Sequence, residues 1–215
     1  PFGDMTRVVN RSDVGFTSPE ACRFPKLSTS VDSLNAAWNI AVSIFAQCSQ
    51  EQYAMPEQEN MWSAGLFQGK GEGFGVWLRD TTHIALRGGC LIDPETCLRT
   101  IKYAASRGFD NGSDGPPMCI VGIWDYYLAT GDKSAVFSML PKLLDSIRQI
   151  DELYDSKAGL VRAAQSTSND AFPEPENGGF ALGSECYYMK AYENMAQIGE
   201  LVGYDNKATE LWRFK

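Results

Sequence analysis

The stretch that decides the fold is Asp114-Gly115-Pro116-Pro117-Met118-Cys119-Ile120-Val121-Gly122-Ile123-Trp124-Asp125-Tyr126-Tyr127-Leu128-Ala129-Thr130-Gly131-Asp132, or DGPPMCIVGIWDYYLATGD. Asp114 is a helix-capping residue, and the two prolines fall in a first turn, whose N–H groups have no intrahelical partner. Behind them the chain is apolar on most sides through Trp124 and Leu128, so this helix is expected to be buried on more than one face. No convincing alternating strand series accompanies it, and the expected class is all-α.

Working outward, Gly131-Asp132 turns the chain into a helix with the stripe Val136, Leu140, Leu143, Leu144, Ile147 and Ile150. Residues 182–202 repeat the pattern with Tyr188, Ala191, Tyr192, Met195, Ile198 and Val202. Gly203-Tyr204-Asp205 then starts a last helix, and this start rhymes with Gly131-Asp132-Lys133-Ser134-Ala135. Each start follows a long helix rich in small and aromatic residues, an internal repeat of helical hairpins. A more buried helix alternates with a more amphipathic one, which suggests two concentric layers. Toward the N-terminus, Asp93-Pro94-Glu95 is a helix-start signal, with Cys97, Leu98, Ile101, Ala104 and Ala105 as the inward face and Gly108 as the stop. Before it, Val31, Leu34, Trp38, Ala41, Phe45 and Cys48 step by three and four along another helix. Residues 1–30 read as an extended or loop-like leader to a helical domain over 31–215, and a glycine-rich connection covers about 51–75.

The 215 residues suffice to bury a core, and 44% apolar residues with 12% aromatics is an ordinary globular composition. A net charge of −8 repels phosphate backbones, so nucleic acid is not an expected partner, whereas neutral ligands such as sugars remain open. The longest apolar run, 118–124, is far short of the roughly 20 residues that span a bilayer. The chain opens at Pro1 without a basic, signal-like start, which reads as a processed or trimmed product. The sequons Asn10-Arg11-Ser12 and Asn111-Gly112-Ser113 are compatible with an extracytoplasmic location, the expectation here. Six scattered cysteines (Cys22, Cys48, Cys90, Cys97, Cys119, Cys186) and a single histidine give no zinc pattern. The even count permits disulfides without requiring them; most of the cysteines fall in apolar helical patterns, where buried free thiols are expected, and neither a metal nor a cofactor is called for.

Two segments carry candidate chemistry. Trp77-Leu78-Arg79-Asp80 follows a glycine-rich run. There a Trp77 face can stack on a sugar, Asp80 can accept from two hydroxyls, and Arg79 can donate while holding the carboxylate. A salt-bridged helix start with Trp77 in the core fits the same residues at least as well. The second segment, about 155–179, concentrates Asp170, Glu174 and Glu176 beside the stiffening Pro173 and Pro175. Carboxylates on such a loop suit general-acid work if burial keeps one protonated near neutral pH. On composition alone, a solvated acidic loop with Asp170 in an Asx turn is the commoner outcome. His83, three residues after Asp80, reads as a structural hydrogen-bonding group outside the catalytic set.

In order along the chain, four pieces resemble the first half of the six-hairpin (α/α)6-barrel glycosidases, the superfamily of glucoamylase, trehalase, the processing glucosidases and the α-rhamnosidases. They are the W-x-R-D turn at 77–80, the "PP…Y…TGD" helix from Pro116 to Asp132, the Ser166-Thr167-Ser168-Asn169-Asp170-Ala171-Phe172-Pro173 loop, and the helix from Gly183-Ser184-Glu185-Cys186-Tyr187-Tyr188 to Gly203. The resemblance implies an exo-acting, inverting glycoside hydrolase that acts on an oligosaccharide or glycan. Trp77, Arg79 and Asp80 would hold the terminal sugar, and Asp170 would be the general acid. The loop departs from the family pattern, having Asn169 where an aromatic or methionine precedes the acid, so Glu174 and Glu176 stay open as alternates, as does loss of activity. A full toroid has about twelve helices, and at typical lengths that needs far more than this chain supplies. The resemblance therefore implies about half a barrel, a general base in an absent C-terminal half, and an exposed apolar seam open to self-association. Rival readings are a silent carbohydrate-binding module, or an epimerase or lyase on the same toroid. The single histidine argues against an epimerase. The acidic balance argues against a lyase, which wants a Tyr/His pair and a basic groove.

Overall fold

A computed structural model describes residues 24–48, 82–106, 115–162, 180 and 182–215. The described chain is predominantly helical, as its patterning predicts. The described α-helices are α1 (Asp32–Cys48), α2 (Cys90–Ile92), α3 (Pro94–Ser106), α4 (Gly115–Thr130), α5 (Lys133–Leu153), α6 (Leu182–Val202) and α7 (Asn206–Phe214), with residues 82–84 helical as well. A π-helical turn, Ala85–Gly89, leads directly into α2.

Helix α4 is the centre of the fold. Every residue from Pro116 through Trp124 is buried, as is Tyr126, so the expectation of burial on more than one face holds. It packs against α3, α5, α6 and the π turn. Gly122 lets the segment leading into that turn lie close, because a Cβ there would stand 3.0 Å from Thr82 Oγ1 and 3.4 Å from Ile101 Cδ1. Helix α6 is the second heavily buried element, with Tyr188, Ala191, Tyr192, Met195 and Ile198 in the common core. Helices α3, α5 and α7 are amphipathic and cover these two, which is the predicted alternation of buried and half-exposed helices.

The predicted rhyme of helix starts has a stereochemical basis. Gly131 and Gly203 both take positive φ, 71° and 68°, the left-handed exit from a helix that glycine adopts without strain. Each is followed by an aspartate N-cap. Asp132 accepts from the Ser134 and Ala135 amides at 2.9 and 3.2 Å. Asp205 accepts from Lys207 and Ala208 at 2.8 and 3.0 Å. The start signal at Asp93 holds too, its side chain accepting from the Thr96 amide. On α3 the buried face includes Thr96 and Thr100 beside Cys97, Ile101 and Ala105, and the Thr100 hydroxyl is satisfied by the Thr96 carbonyl at 2.6 Å. The predicted stop at Gly108 lies outside the described residues.

Two expectations need correction. The stripe on α1 is rotated and shortened: Val31, Leu34 and Ala41 are exposed, and burial falls on Val42, Ser43 and Ala46. Val42 and Ala46 cluster with Phe24, and Trp38, Phe45 and Ile92 pack against them; Phe45 also touches the main core, and the Phe24 and Phe45 rings meet edge-on at 5.4 Å. Periodicity fixed the helix but not which edge of its stripe found a partner. The second correction concerns the start of the 155–179 segment, expected to be irregular. It contains a short antiparallel hairpin, β1 (Tyr154–Asp155) with β2 (Leu160–Val161), register Tyr154↔Val161. Asp155 closes the turn by accepting from the Lys157 and Ala158 amides, and Gly159 supplies φ 68°. At two residues per strand, no alternation exists to read.

Candidate functional site

All six residues expected to carry function, Trp77, Arg79, Asp80, Asp170, Glu174 and Glu176, lie outside the described residues. What the structure describes is the frame that receives the two segments. Thr82, fully buried, donates its hydroxyl to the Met118 carbonyl in the first turn of α4 at 3.0 Å. His83 Nε2 and the Tyr187 hydroxyl, from the second turn of α6, are hydrogen-bonded at 3.2 Å with their rings edge-on. One end of the helix stack therefore collects the residues that follow the W-x-R-D turn together with the starts of α4 and α6. The amino ends of helices carry partial positive charge and favour nearby carboxylates. The expectation that His83 serves as a hydrogen-bonding group holds, and its partner, Tyr187, was not foreseen.

Glu185 ties the far side of this frame. It sits in the first turn of α6, almost wholly buried, and Oε2 accepts from the Val161 amide of β2 at 3.2 Å. The contact clamps together the two described ends that flank the acidic segment. Its other oxygen has no hydrogen-bond partner among the described residues, and burial pushes the carboxyl above the usual range. Asp125, on α4, is a second raised carboxyl. Burial lifts it to about 6, against the pull of Lys190 on α6, and its Oδ2 is likewise unpartnered among the described residues. Asn194, one helical turn beyond Lys190, is fully buried with neither amide atom paired among the described residues. Sequence reading assigned none of these three a role. A Glu in a first turn and an Asp or Asn amid apolar residues become distinctive only once burial is known.

The chemistry this frame offers is proton handling. Glu185 in the frame, and Asp125 two turns further along α4, hold their protons at higher pH than free carboxylates do, and the His83–Tyr187 hydrogen bond sets an oxygen against a ring nitrogen. Behind it, Asp151 accepts from the Tyr192 hydroxyl at 2.8 Å and pairs with Lys215, whose ammonium lies over the Tyr154 and Tyr192 rings. That cluster bolts α5 and α6 to the end of α7. Among the described residues, no group of three or more His, Cys, Asp or Glu side chains is placed to hold a metal ion. No described helix is long and apolar enough to cross a membrane. No known protein family, curated protein or solved structure matches this chain.

Proposed function

We propose that this chain is the N-terminal half of an (α/α)6 toroid and forms the sugar-holding side of an exo-acting, inverting glycoside hydrolase located outside the cytoplasm. Trp77, Arg79 and Asp80 hold the terminal sugar, and Asp170 protonates the glycosidic oxygen, with Glu174 and Glu176 as alternates. A carboxylate from the other half of the toroid activates water, standing roughly 6.5–9.5 Å from the acid. The observation that carries this reading is the His83–Tyr187 hydrogen bond. It joins the residue three positions after Asp80 to the helix that follows the acidic segment, as a shared pocket requires.

The test is turnover and glycan binding by protein that includes the C-terminal half. Asp170→Asn is expected to lower turnover roughly 100- to 10,000-fold while calorimetric binding persists. Near-normal turnover removes Asp170 from the role, and wild-type binding without hydrolysis makes the protein a carbohydrate-binding module. The same Tyr–His pair supports one rival: a lyase uses such a pair to abstract a proton beside a uronic carboxylate, and its product is unsaturated.

A further inference from the structure

The sulfurs of Cys90 and Cys97 lie 3.2 Å apart in the main core, both buried. Cys90 is the first residue of α2 and Cys97 lies in the first turn of α3, so the pair spans the junction between the two helices. The other two cysteines whose side chains are described do not stand so. Cys119 is buried elsewhere on α4, and Cys186 is exposed on α6. A disulfide closes when such sulfurs approach to roughly 2.0 Å, a shift of about one ångström here.

We propose that Cys90 and Cys97 form a reversible intrachain disulfide, a modification site whose oxidant is a low-molecular-weight disulfide. A hydrogen bond from the Cys97 thiol favours the thiolate of Cys90, and the same contact, with burial, disfavours that of Cys97. Cys90 also directly follows the π turn and adjoins the exposed Leu91, the side from which an oxidant enters, and it is the attacking thiol. Its thiolate attacks one sulfur of the small disulfide, expelling one thiolate and leaving a mixed disulfide on Cys90. Cys97 then loses its proton to that departed thiolate and attacks Cys90 Sγ, expelling the second small thiolate, which takes up the proton that Cys90 had released. Two protein thiols and one small disulfide become one protein disulfide and two small thiols.

Access to the buried pair comes from the element beside it. Just before Cys90 the helix widens into the π turn, and Gly88 within that turn takes φ 104°, a break in regular helix geometry. Leu91, next to Cys90, is 71% exposed, so opening this short segment brings only small core side chains, Ala85 and Cys90, and the half-buried Ile92 to water. Once formed, the bridge ties the segment carrying Thr82 and His83 to α3. None of this rests on the glycosidase reading.

The sequence provides a direct test, because Arg87 and Arg99 place both cysteines on one tryptic peptide, 88–99. The purified chain is equilibrated in mixtures of reduced and oxidised glutathione, acid-quenched, alkylated in denaturant and digested. In oxidising mixtures this peptide is expected to be lighter by two hydrogens and free of alkyl groups, and in reducing mixtures to carry two. The exposed Cys186 reports that the oxidant acts, by carrying glutathione. A peptide 88–99 that stays doubly alkylated in every mixture, including those that modify Cys186, overturns the proposal, as does linkage of Cys90 to another cysteine. Cys97→Ser is expected to trap glutathione on Cys90, and a Cys90 that remains alkylatable in that variant overturns its assignment as the attacking thiol.

Discussion

Asp125 shows what a single buried carboxyl does to the stability of this chain. Its ordinary value is 3.8, and burial on α4 lifts it to about 6 in the folded state. Below the lower value both folded and unfolded chains hold the proton, and the folded state bears no penalty. Between the two values the unfolded chain releases its proton and the folded chain retains it, so stability falls as pH rises through this window and stays lowered above it. The full shift corresponds to about 3 kcal/mol. Screening by the solvent that still reaches this partly buried group brings the expected loss to about 1 kcal/mol. Asp125→Asn removes the titration: in urea unfolding, wild-type stability relative to the variant is expected to drop by that amount between about pH 4 and pH 7. Equal differences at both pH values would show that Asp125 ionises as freely in the folded chain as in the unfolded one.

At the scale of elements, stability is set by helix starts and by helix crossings. The two Gly–Asp junctions are each a left-handed exit followed by a two-amide cap, so Asp132→Ala and Asp205→Ala are each expected to cost about 1 kcal/mol in urea unfolding. The crossing of α6 and α7 is tighter than either helix alone implies. A Cβ on Gly199 would stand 2.6 Å from Thr209 Oγ1 and 3.3 Å from its Cγ2, and the Thr209 hydroxyl is held by the Asp205 carbonyl at 2.9 Å. Gly199→Ala is therefore expected to destabilise by about 1–3 kcal/mol. Adding Thr209→Ala removes both obstructing atoms, so the double variant should be more stable than the sum of the single changes. Strict additivity would place the cost in glycine's backbone and not in the crossing. The junctions were legible in sequence because a glycine exit and an aspartate cap one or two residues later act locally. The crossing was not, because which residue of α7 meets Gly199 depends on an interhelical angle that no periodicity encodes.

For the whole molecule, the all-α class and the buried or amphipathic character of α4 and α5 were readable, because α4 is apolar on most sides and α5 carries a regular stripe, whereas on α1 only the helix was. The site was legible only as two separate segments. What brings their described ends together is a pair of side-chain contacts, Thr82 to Met118 and His83 to Tyr187, spanning 36 and 104 positions. Contacts at such separations leave no local mark, and Glu185, which joins β2 to α6 across 24 positions, left none either. The His83–Tyr187 bond separates the two enzyme readings, because it plays a different part in each. In a hydrolase it is a bolt that aligns the segment after Asp80 with α6. Tyr187→Phe then loses one ordinary hydrogen bond, about 0.5–1.5 kcal/mol, and turnover of intact protein should fall by no more than about tenfold. The aromatic ring stays, so the edge-on packing with His83 survives. In a lyase the Tyr187 hydroxyl is itself the proton-transfer group, and the same change should cost roughly 100- to 10,000-fold. Measuring kcat and unfolding free energy on the same Tyr187→Phe preparation separates the cases. A modest loss in both fits the bolt of the hydrolase reading, whereas a collapse of kcat with stability nearly unchanged would favour the lyase reading, with the Tyr–His pair in the chemistry.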